Sequence, residues 1–566
     1  MILIRRIRQN PSRLQGEKSS ALDLARGRMV MMGGFFVLAY CALALRAVDL
    51  SVLQSQSYDP EVAPKQTASA PTLRADIIDR NGVMLATTLK TPSLFADTKQ
   101  ISDPQKTAKA LHAIFPDVPY GQLLQKLQSG RSFVWLKRNI TPQEKARVLE
   151  IGEPGLNFET AQKRFYPQEN LTAHILGYTD IDMHGIAGIE RGFDNILNES
   201  KPLQLTIDTR IQHALKREIA AAMDEFRAIG GAGVVMDVQT GEILAGVSLP
   251  DFNPHAMSAA KDDATFNRLT LGAYELGSVF KIFSTAYFFE TRDMPMSTTF
   301  DATEPLKKGR HTIRDFHAQK RPLTVPEVFM HSSNIGTAMM AEAAGFEGMK
   351  DFYTDLGLLT PLDFEIRETA RPQVQPWTEI TALTASYGHG IATTPLQVAT
   401  AVASIVNGGY RVKPTLIKND TPQTQTEDIR IVSEKTAHRL RQLLRIVVSE
   451  GTGSKAAVAG YKVGGKTGTA EKITNGRYDR KKKISSFVGV FPMNAPKYAV
   501  YIMVDEPKGH KGTWGYATGG WVAAPAVSRV IASMANILGI PPETEIAGQE
   551  FGSGLKQYIS HKEGAR

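Results

Sequence analysis

Residues 274–283 read Tyr274-Glu275-Leu276-Gly277-Ser278-Val279-Phe280-Lys281-Ile282-Phe283. Apolar pairs flank Lys281 on both sides and a glycine precedes the serine, so the stretch predicts a buried helix with Ser278 at its N-terminus. A serine hydroxyl is a weak nucleophile at neutral pH and needs a nearby base. Residues three apart share a helical face, which brings the Lys281 amine within reach of the Ser278 hydroxyl. Burial disfavours the charged form of a lysine and so helps it accept a proton. The helix dipole and free N–H groups favour negative charge developing beside Ser278.

Ser-x-x-Lys alone carries little weight, because it occurs three times, at Ser258/Lys261, Ser278/Lys281 and Ser553/Lys556. Ser258 lies in a polar stretch and Ser553 in a Gly-containing tail; only Ser278 opens an apolar run. Two further motifs follow it, Ser332-Ser333-Asn334 and Lys466-Thr467-Gly468. Taken singly, the first also fits a helix cap or turn, and the second a strand end with a turn glycine. In this order the three form a signature of serine acyl-transfer enzymes, with Ser333 where one version has Asp. In acyl transfer Ser278 Oγ attacks a carbonyl and Lys281 takes its proton. Ser332 shuttles the proton to the leaving amine, and Asn334 hydrogen-bonds the substrate amide. Lys466 and Thr467 bind a terminal carboxylate. Gly465 and Gly468 leave room for a substrate strand at the sheet edge 466–469.

Outward from these motifs, Gly231–Leu249 predicts two apolar strands around the turn Gln239-Thr240-Gly241. Ser486–Pro492 and Tyr498–Val504 predict two more, separated by Asn494-Ala495-Pro496. Strands from both ends of 201–540 then form one sheet, with helices between them in sequence, in an α/β (α+β) domain. Residues 71–200 predict a mixed domain of short strands and helices, and 541–566 a poorly ordered C-terminal tail. Met29–Leu45 carries no charge over 17 residues and extends to Val48 if Arg46 snorkels, which suits a membrane anchor over 29–48. Residues 1–28 are basic and form the expected cytoplasmic tail, with the catalytic part outside and 49–70 as a linker. A cleaved leader ending near Ala42-Leu43-Ala44 is the competing reading.

The chain has 566 residues, 42% hydrophobic and 22% charged, with a formal net charge of +9. No zinc-finger spacing, RNP motif or basic-aromatic stripe accompanies that charge, so a nucleic-acid partner is not expected. The single cysteine, Cys41, excludes an internal disulfide. The twelve histidines show no metal-ligand spacing, and no metal or organic cofactor is implied. His174 and His331 read as structural.

Further stretches carry a family resemblance. Arg74 with Asp79-Arg80-Asn81-Gly82 resembles the opening motif of class B penicillin-binding proteins, with Ala75 where that family usually has Gly. Arg164-Phe165-Tyr166-Pro167, His174-Ile175-Leu176-Gly177 and Gly188-Ile189-Glu190 resemble pieces of its N-terminal pedestal. Thr206-Ile207-Asp208 with Gln212, Ser386-Tyr387-Gly388 with Thr394-Pro395-Leu396-Gln397, and Gly519-Gly520 with Pro525 resemble its transpeptidase domain, with Leu276 replacing a usual Pro. The likeness covers roughly residues 30–540 and is greatest to the FtsI-type, division-associated branch.

The resemblance implies a transpeptidase domain with a five-stranded, mainly antiparallel sheet flanked by helices, preceded by a pedestal and one transmembrane helix. It implies a serine D,D-transpeptidase of the bacterial inner membrane that cross-links peptidoglycan stem peptides ending in D-Ala-D-Ala and is acylated by β-lactams. It assigns Ser278, Lys281, Ser332 and Asn334 to catalysis and Lys466, Thr467, Gly468 and Thr469 to substrate binding. The backbone N–H groups of Ser278 and Thr469 become the oxyanion donors. It also implies an FtsW-type glycosyltransferase and other divisome membrane proteins as partners. Alternatives are an elongation-type transpeptidase, a D,D-carboxypeptidase, or a non-enzymatic scaffold or β-lactam sensor. The intact motif residues weigh against a dead scaffold, the single expected span with its short cytoplasmic tail against a sensor, and the short region before residue 202 against a bifunctional enzyme with its own glycosyltransferase.

Overall fold

In Tyr498–Asp505 every residue is buried, and side chains alternate between two cores, as a central strand requires. Ala499, Tyr501 and Met503 face one apolar cluster, and Val500, Ile502 and Val504 the other. The structure is a computed structural model that describes residues 12–48, 73–199, 201–418, 426–474, 476–542 and 551–559. The expected linker 49–70 lies outside these residues. The chain divides into two units, Met1–Pro71 and Thr72–Arg566.

The first unit contributes one helix, Ser12–Val48. Within it Arg26–Arg46 has a mean hydropathy of 1.8 with none of that window buried, long and apolar enough to cross a membrane. The helix continues N-terminally beyond the expected anchor, through the basic stretch.

In the second unit, β1 (Ile77–Ile78), β2 (Met84–Ala96), β3 (Val134–Lys137), β4 (Leu156–Phe165) and β5 (Leu203–Gln204) form the N-terminal sheet. β2 and β4 pair antiparallel from Thr87↔Phe165 to Ala96↔Leu156. They are longer than the short strands expected. The middle of β2 (Thr87–Pro92) is partly or fully exposed and mostly polar, with even Leu89 exposed, so the period-2 apolar signal survives only at its ends.

A buried ion triad holds this region. Arg74 Nε donates to Glu190 Oε2 and Arg164 Nε to Glu190 Oε1, each at 2.7 Å. All three side chains are buried. Arg74 also reaches Asp194 at 2.7 Å, and Arg164 the Ala75 carbonyl at 2.7 Å. Three stretches far apart in sequence therefore meet at one carboxylate. Buried Asp79 accepts from the N–H groups of Asn81 and Val83 and from Thr209 N and Oγ1. That ties the Asp79–Gly82 turn to the N-terminus of the helix Thr209–Glu225.

β6 (Gly230–Asp237), β7 (Ile243–Leu249), β8 (Gly464–Thr474), β9 (Arg477–Phe491) and β10 (Tyr498–Asp505) form the second five-stranded sheet, in the order β8-β9-β10-β6-β7. Every pairing is antiparallel. Strands from both ends of the domain thus meet as the sequence predicts. Helices Thr209–Glu225 and Gly519–Ile537 cover one face; Lys281–Arg292, Pro395–Val406 and Glu434–Ser449 supply the core on the other. β8 lies at the sheet's edge.

The described part of the C-terminal tail, 551–559, departs from the expected poor order. Ser553–Tyr558 form a helical turn with Leu555 buried, and Phe551, Tyr558 and Ile559 pack on the main core. Thr324 Oγ1 donates to the Tyr558 carbonyl at 2.8 Å. Four apolar side chains within nine residues offset the polar composition that suggested disorder.

Removing one member of a buried ion group leaves uncompensated charge, whereas an exposed pair contributes little. Glu190→Gln is expected to lower stability by about 3–5 kcal/mol. Asp182→Asn, which breaks the exposed pair with Arg138 (2.9 Å), should change it by less than about 1 kcal/mol. Urea unfolding of both variants checks the contrast.

Candidate active site

Ser278 lies in a 3-10 turn, Gly277–Phe280, that runs directly into the helix Lys281–Arg292. The helix is buried from Lys281 to Phe289, as its apolar run dictates. Gly277 has φ +57°, and a Cβ there would lie 2.4 Å from the Thr469 carbonyl. A Cβ on Gly468 would meet the Leu276 carbonyl at 2.6 Å, and one on Gly388 the Gly277 carbonyl at 2.1 Å. Glycine at these places lets the serine turn sit against β8.

The other Ser-x-x-Lys pairs have no such setting. Ser258 is exposed in a separate turn, with Lys261 preceding a different short helix. Ser553 is exposed, and Lys556 pairs with Glu450 at 3.2 Å.

Lys281 and Lys466 are both fully buried. Lys281 Nζ donates to the Ser332 carbonyl at 2.5 Å, Asn334 Oδ1 at 2.8 Å and Ser332 Oγ at 3.2 Å. Lys466 Nζ donates to the same Ser332 Oγ at 2.9 Å. A hydroxyl oxygen has two lone pairs, enough for both amines, and keeps its own proton to donate. Ser332 adopts φ +59°, a left-handed conformation uncommon for a residue with a Cβ and often found at functional sites. Burial pushes the Lys281 ammonium well below its ordinary range; the charge of Lys466 adds to this and Asp315 opposes it. Burial alone pushes Lys466 down to about 7. The hydrogen bonds of Lys281 Nζ run to Ser332 and Asn334, which makes Ser332 the link between the two lysines.

Ser333 caps the helix Asn334–Ala344 through Gly336 N and donates to Asp315 Oδ2 at 2.7 Å. Asp315 Oδ1 accepts from Asn334 N at 2.6 Å and Ile335 N at 2.9 Å. No sequence motif marks Asp315; its role comes entirely from the fold. A carboxylate at a helix N-terminus is favourable, and here it also orients Asn334. Thr467 Oγ1 lies 3.1 Å from Thr452 Oγ1, and Gly519 N donates to Thr469 Oγ1 at 3.1 Å.

Ser278, Ser332, Asn334, Thr467 and Thr469 line one cleft of about 810 Å³. Lys281 and Lys466 lie beneath it, reached through Ser332, and Gly468 packs beside the Leu276 carbonyl that precedes the serine turn. All eight residues marked in the sequence are thus brought together. His331, read as structural, also lines the cleft, whereas His174 is buried beside the Pro250 carbonyl, where burial pushes its imidazole down to about 4.

A lysine depressed in the folded state costs stability below its folded pKa, and the cost fades as pH rises toward the unfolded value. Lys466→Met should therefore raise the melting temperature most at pH 7 and below, with the gain shrinking between about pH 7 and pH 10.5. Differential scanning calorimetry across that range checks the sign.

Comparison with known proteins agrees with this geometry. Residues 231–532 match the family described as penicillin binding protein transpeptidase domain, and 69–206 match the penicillin-binding protein dimerisation domain. The probable peptidoglycan D,D-transpeptidase FtsI of Caulobacter vibrioides is 39% identical, over 93% of this chain and 90% of its own. FtsI of Escherichia coli K12 is 29% identical over 92% and 94%. The crystal structure of penicillin binding protein 3 from Mycobacterium tuberculosis complexed with ampicillin superposes with a TM-score of 0.68 at 25% identity, over 84% of this chain and 98% of that one. With both domains matched and the cleft assembled from the three motifs, the chain belongs to the class B penicillin-binding proteins, the peptidoglycan D,D-transpeptidases of FtsI type.

Proposed function

We propose that this transpeptidase works through an acyl-enzyme on Ser278, at the division septum, anchored by its N-terminal helix. The observation that carries the chemistry is the single hydroxyl, Ser332 Oγ, shared by two buried lysines at the cleft that Ser278 lines. A neutral Lys281 takes the Ser278 proton as Oγ attacks the penultimate D-Ala carbonyl. The N–H groups of Ser278 and Thr469 stabilise the oxyanion. As the C–N bond breaks, Ser332 passes a proton to the departing D-Ala amine and is reprotonated from the lysine pair. An acceptor amine then attacks the ester, restores the Ser278 hydroxyl and leaves a new peptide bond. Lys466 and Thr467 bind the donor's terminal carboxylate. That anion favours the charged form of Lys466, offsetting its desolvation.

Residues 71–200 act as the pedestal and 201–540 as the transpeptidase domain. The window Arg26–Arg46 and the FtsI-type relatives support a single-pass anchor in the inner membrane, with the catalytic domain outside. The FtsI-type relatives place the chain beside peptidoglycan D,D-transpeptidases; from that likeness we infer the septal role, with an FtsW-type glycosyltransferase and other divisome proteins as partners. The ampicillin complex of the mycobacterial protein supports acylation by β-lactams.

The test is labelling of the chain lacking residues 1–50 with a fluorescent penicillin. Label should vanish in Ser278→Ala, persist in Ser258→Ala and Ser553→Ala, and leave the wild type slowly. Because Lys281 must be neutral to act, the acylation rate should rise with pH and level off well below pH 10.5. Absence of label on folded wild type would overturn the acyl-enzyme reading; rapid release would indicate a β-lactamase instead.

A further inference from the structure

The first seven residues of β9, Arg477–Lys483, precede its pairing with β10, so the β8–β9 hairpin runs past the body of the sheet. In that extension the ladder breaks. Glu471 pairs with Lys483 and the next rung is Lys472 with Asp479, leaving Arg480, Lys481 and Lys482 outside the register. Bulges re-aim side chains and recur beside active sites. This one is built: Lys481 N donates to Asp479 Oδ1 at 2.9 Å, and Tyr478 OH donates to Glu275 at 3.1 Å, three residues before Ser278.

Arg480 and Lys483 line the catalytic cleft. Among the described residues neither forms an ion pair, although Lys472 on the facing strand pairs with both Asp505 and Glu506. Glu471, opposite Lys483 on β8, lines the same cleft, so the three side chains together carry a net positive charge, which favours an anionic ligand.

The direction of the donor says which anion. Its terminal carboxylate belongs at Lys466–Thr467 and its scissile carbonyl at Ser278 and Thr469, so upstream residues run along the open edge of β8 toward Glu471. The Glu471–Lys483 rung lies two residues beyond the Thr469–Ser485 rung, about 7 Å along the strand. That is one or two residues of an extended peptide before the acyl D-Ala.

We propose that Arg480 and Lys483 form a carboxylate-binding subsite that receives the free side-chain carboxylate of the donor residue preceding the acyl D-Ala. The subsite selects donor peptides in which that residue carries a free side-chain carboxylate over those in which it is amidated or absent. This rests on the acyl-transfer reading above.

Acyl-enzyme formation is followed by intact mass with two synthetic pentapeptides ending in D-Ala-D-Ala. They differ only in a free or amidated distal carboxylate on a diaminopimelate third residue. Wild type should favour the free carboxylate by roughly fivefold to tenfold, less at high salt. Arg480→Gln/Lys483→Gln should erase the preference, and Arg480→Lys/Lys483→Arg should retain it. Equal rates for the two peptides in wild type, a preference that survives in the glutamine variant, or an equal loss on both peptides would each overturn the subsite. Wild type that is acylated by neither peptide nor penicillin would bring down the acyl-transfer reading itself, and the subsite with it.

Discussion

Two amines buried against one hydroxyl set the terms for the rest of this molecule. Each lysine loses its hydration, and their like charges repel, so the interior must supply acceptors or let a proton leave. The Ser332 carbonyl, Asn334 Oδ1 and Ser332 Oγ are the acceptors supplied. Holding them there requires a left-handed Ser332, a helix beginning directly after it, and a carboxylate at that helix's N-terminus. The arrangement costs folding free energy, as sites shaped for function commonly do. The large sheet and its two apolar clusters offset that cost.

Bringing the third motif close is a matter of backbone contact. The serine turn and β8 approach so closely that side chains at Gly277, Gly388 and Gly468 would overlap carbonyl oxygens. Gly519 would likewise meet the Ser486 and Gly468 carbonyls, at 2.2 and 2.5 Å. Such contact makes the nucleophile's position a property of the sheet itself rather than of a loop.

Much of this was legible in the residues. The apolar run around Lys281 announced a buried helix, and four runs of apolar residues announced strands that did join in one sheet. The three motifs named the cleft because their spacing requirements are chemical. What escaped notice depends on contacts between remote segments. Asp315 has no local signature, since its partners are backbone N–H groups 19 and 20 residues away. The triad around Glu190 joins stretches that each looked merely family-like. The bulge at Arg480 arises from unequal strand lengths, which composition does not record. The C-terminal turn 553–558 has a weak sequence signal, because polar neighbours mask its few apolar anchors.

An unpaired strand edge is open to any extended chain, including a second copy of itself. β8 must stay unpaired to admit a peptide, so this enzyme cannot cap its own edge with another strand or a covering helix. Soluble proteins commonly discourage such self-association with charge. Here the hairpin beside the cleft carries Arg477, Arg480, Lys481, Lys482 and Lys483 within seven residues, with Asp479 the one acidic residue among them. Two such edges approaching each other would bring those cations together, whereas an anionic peptide meets attraction. Charge of one sign beside the open edge thus works against copy-on-copy pairing.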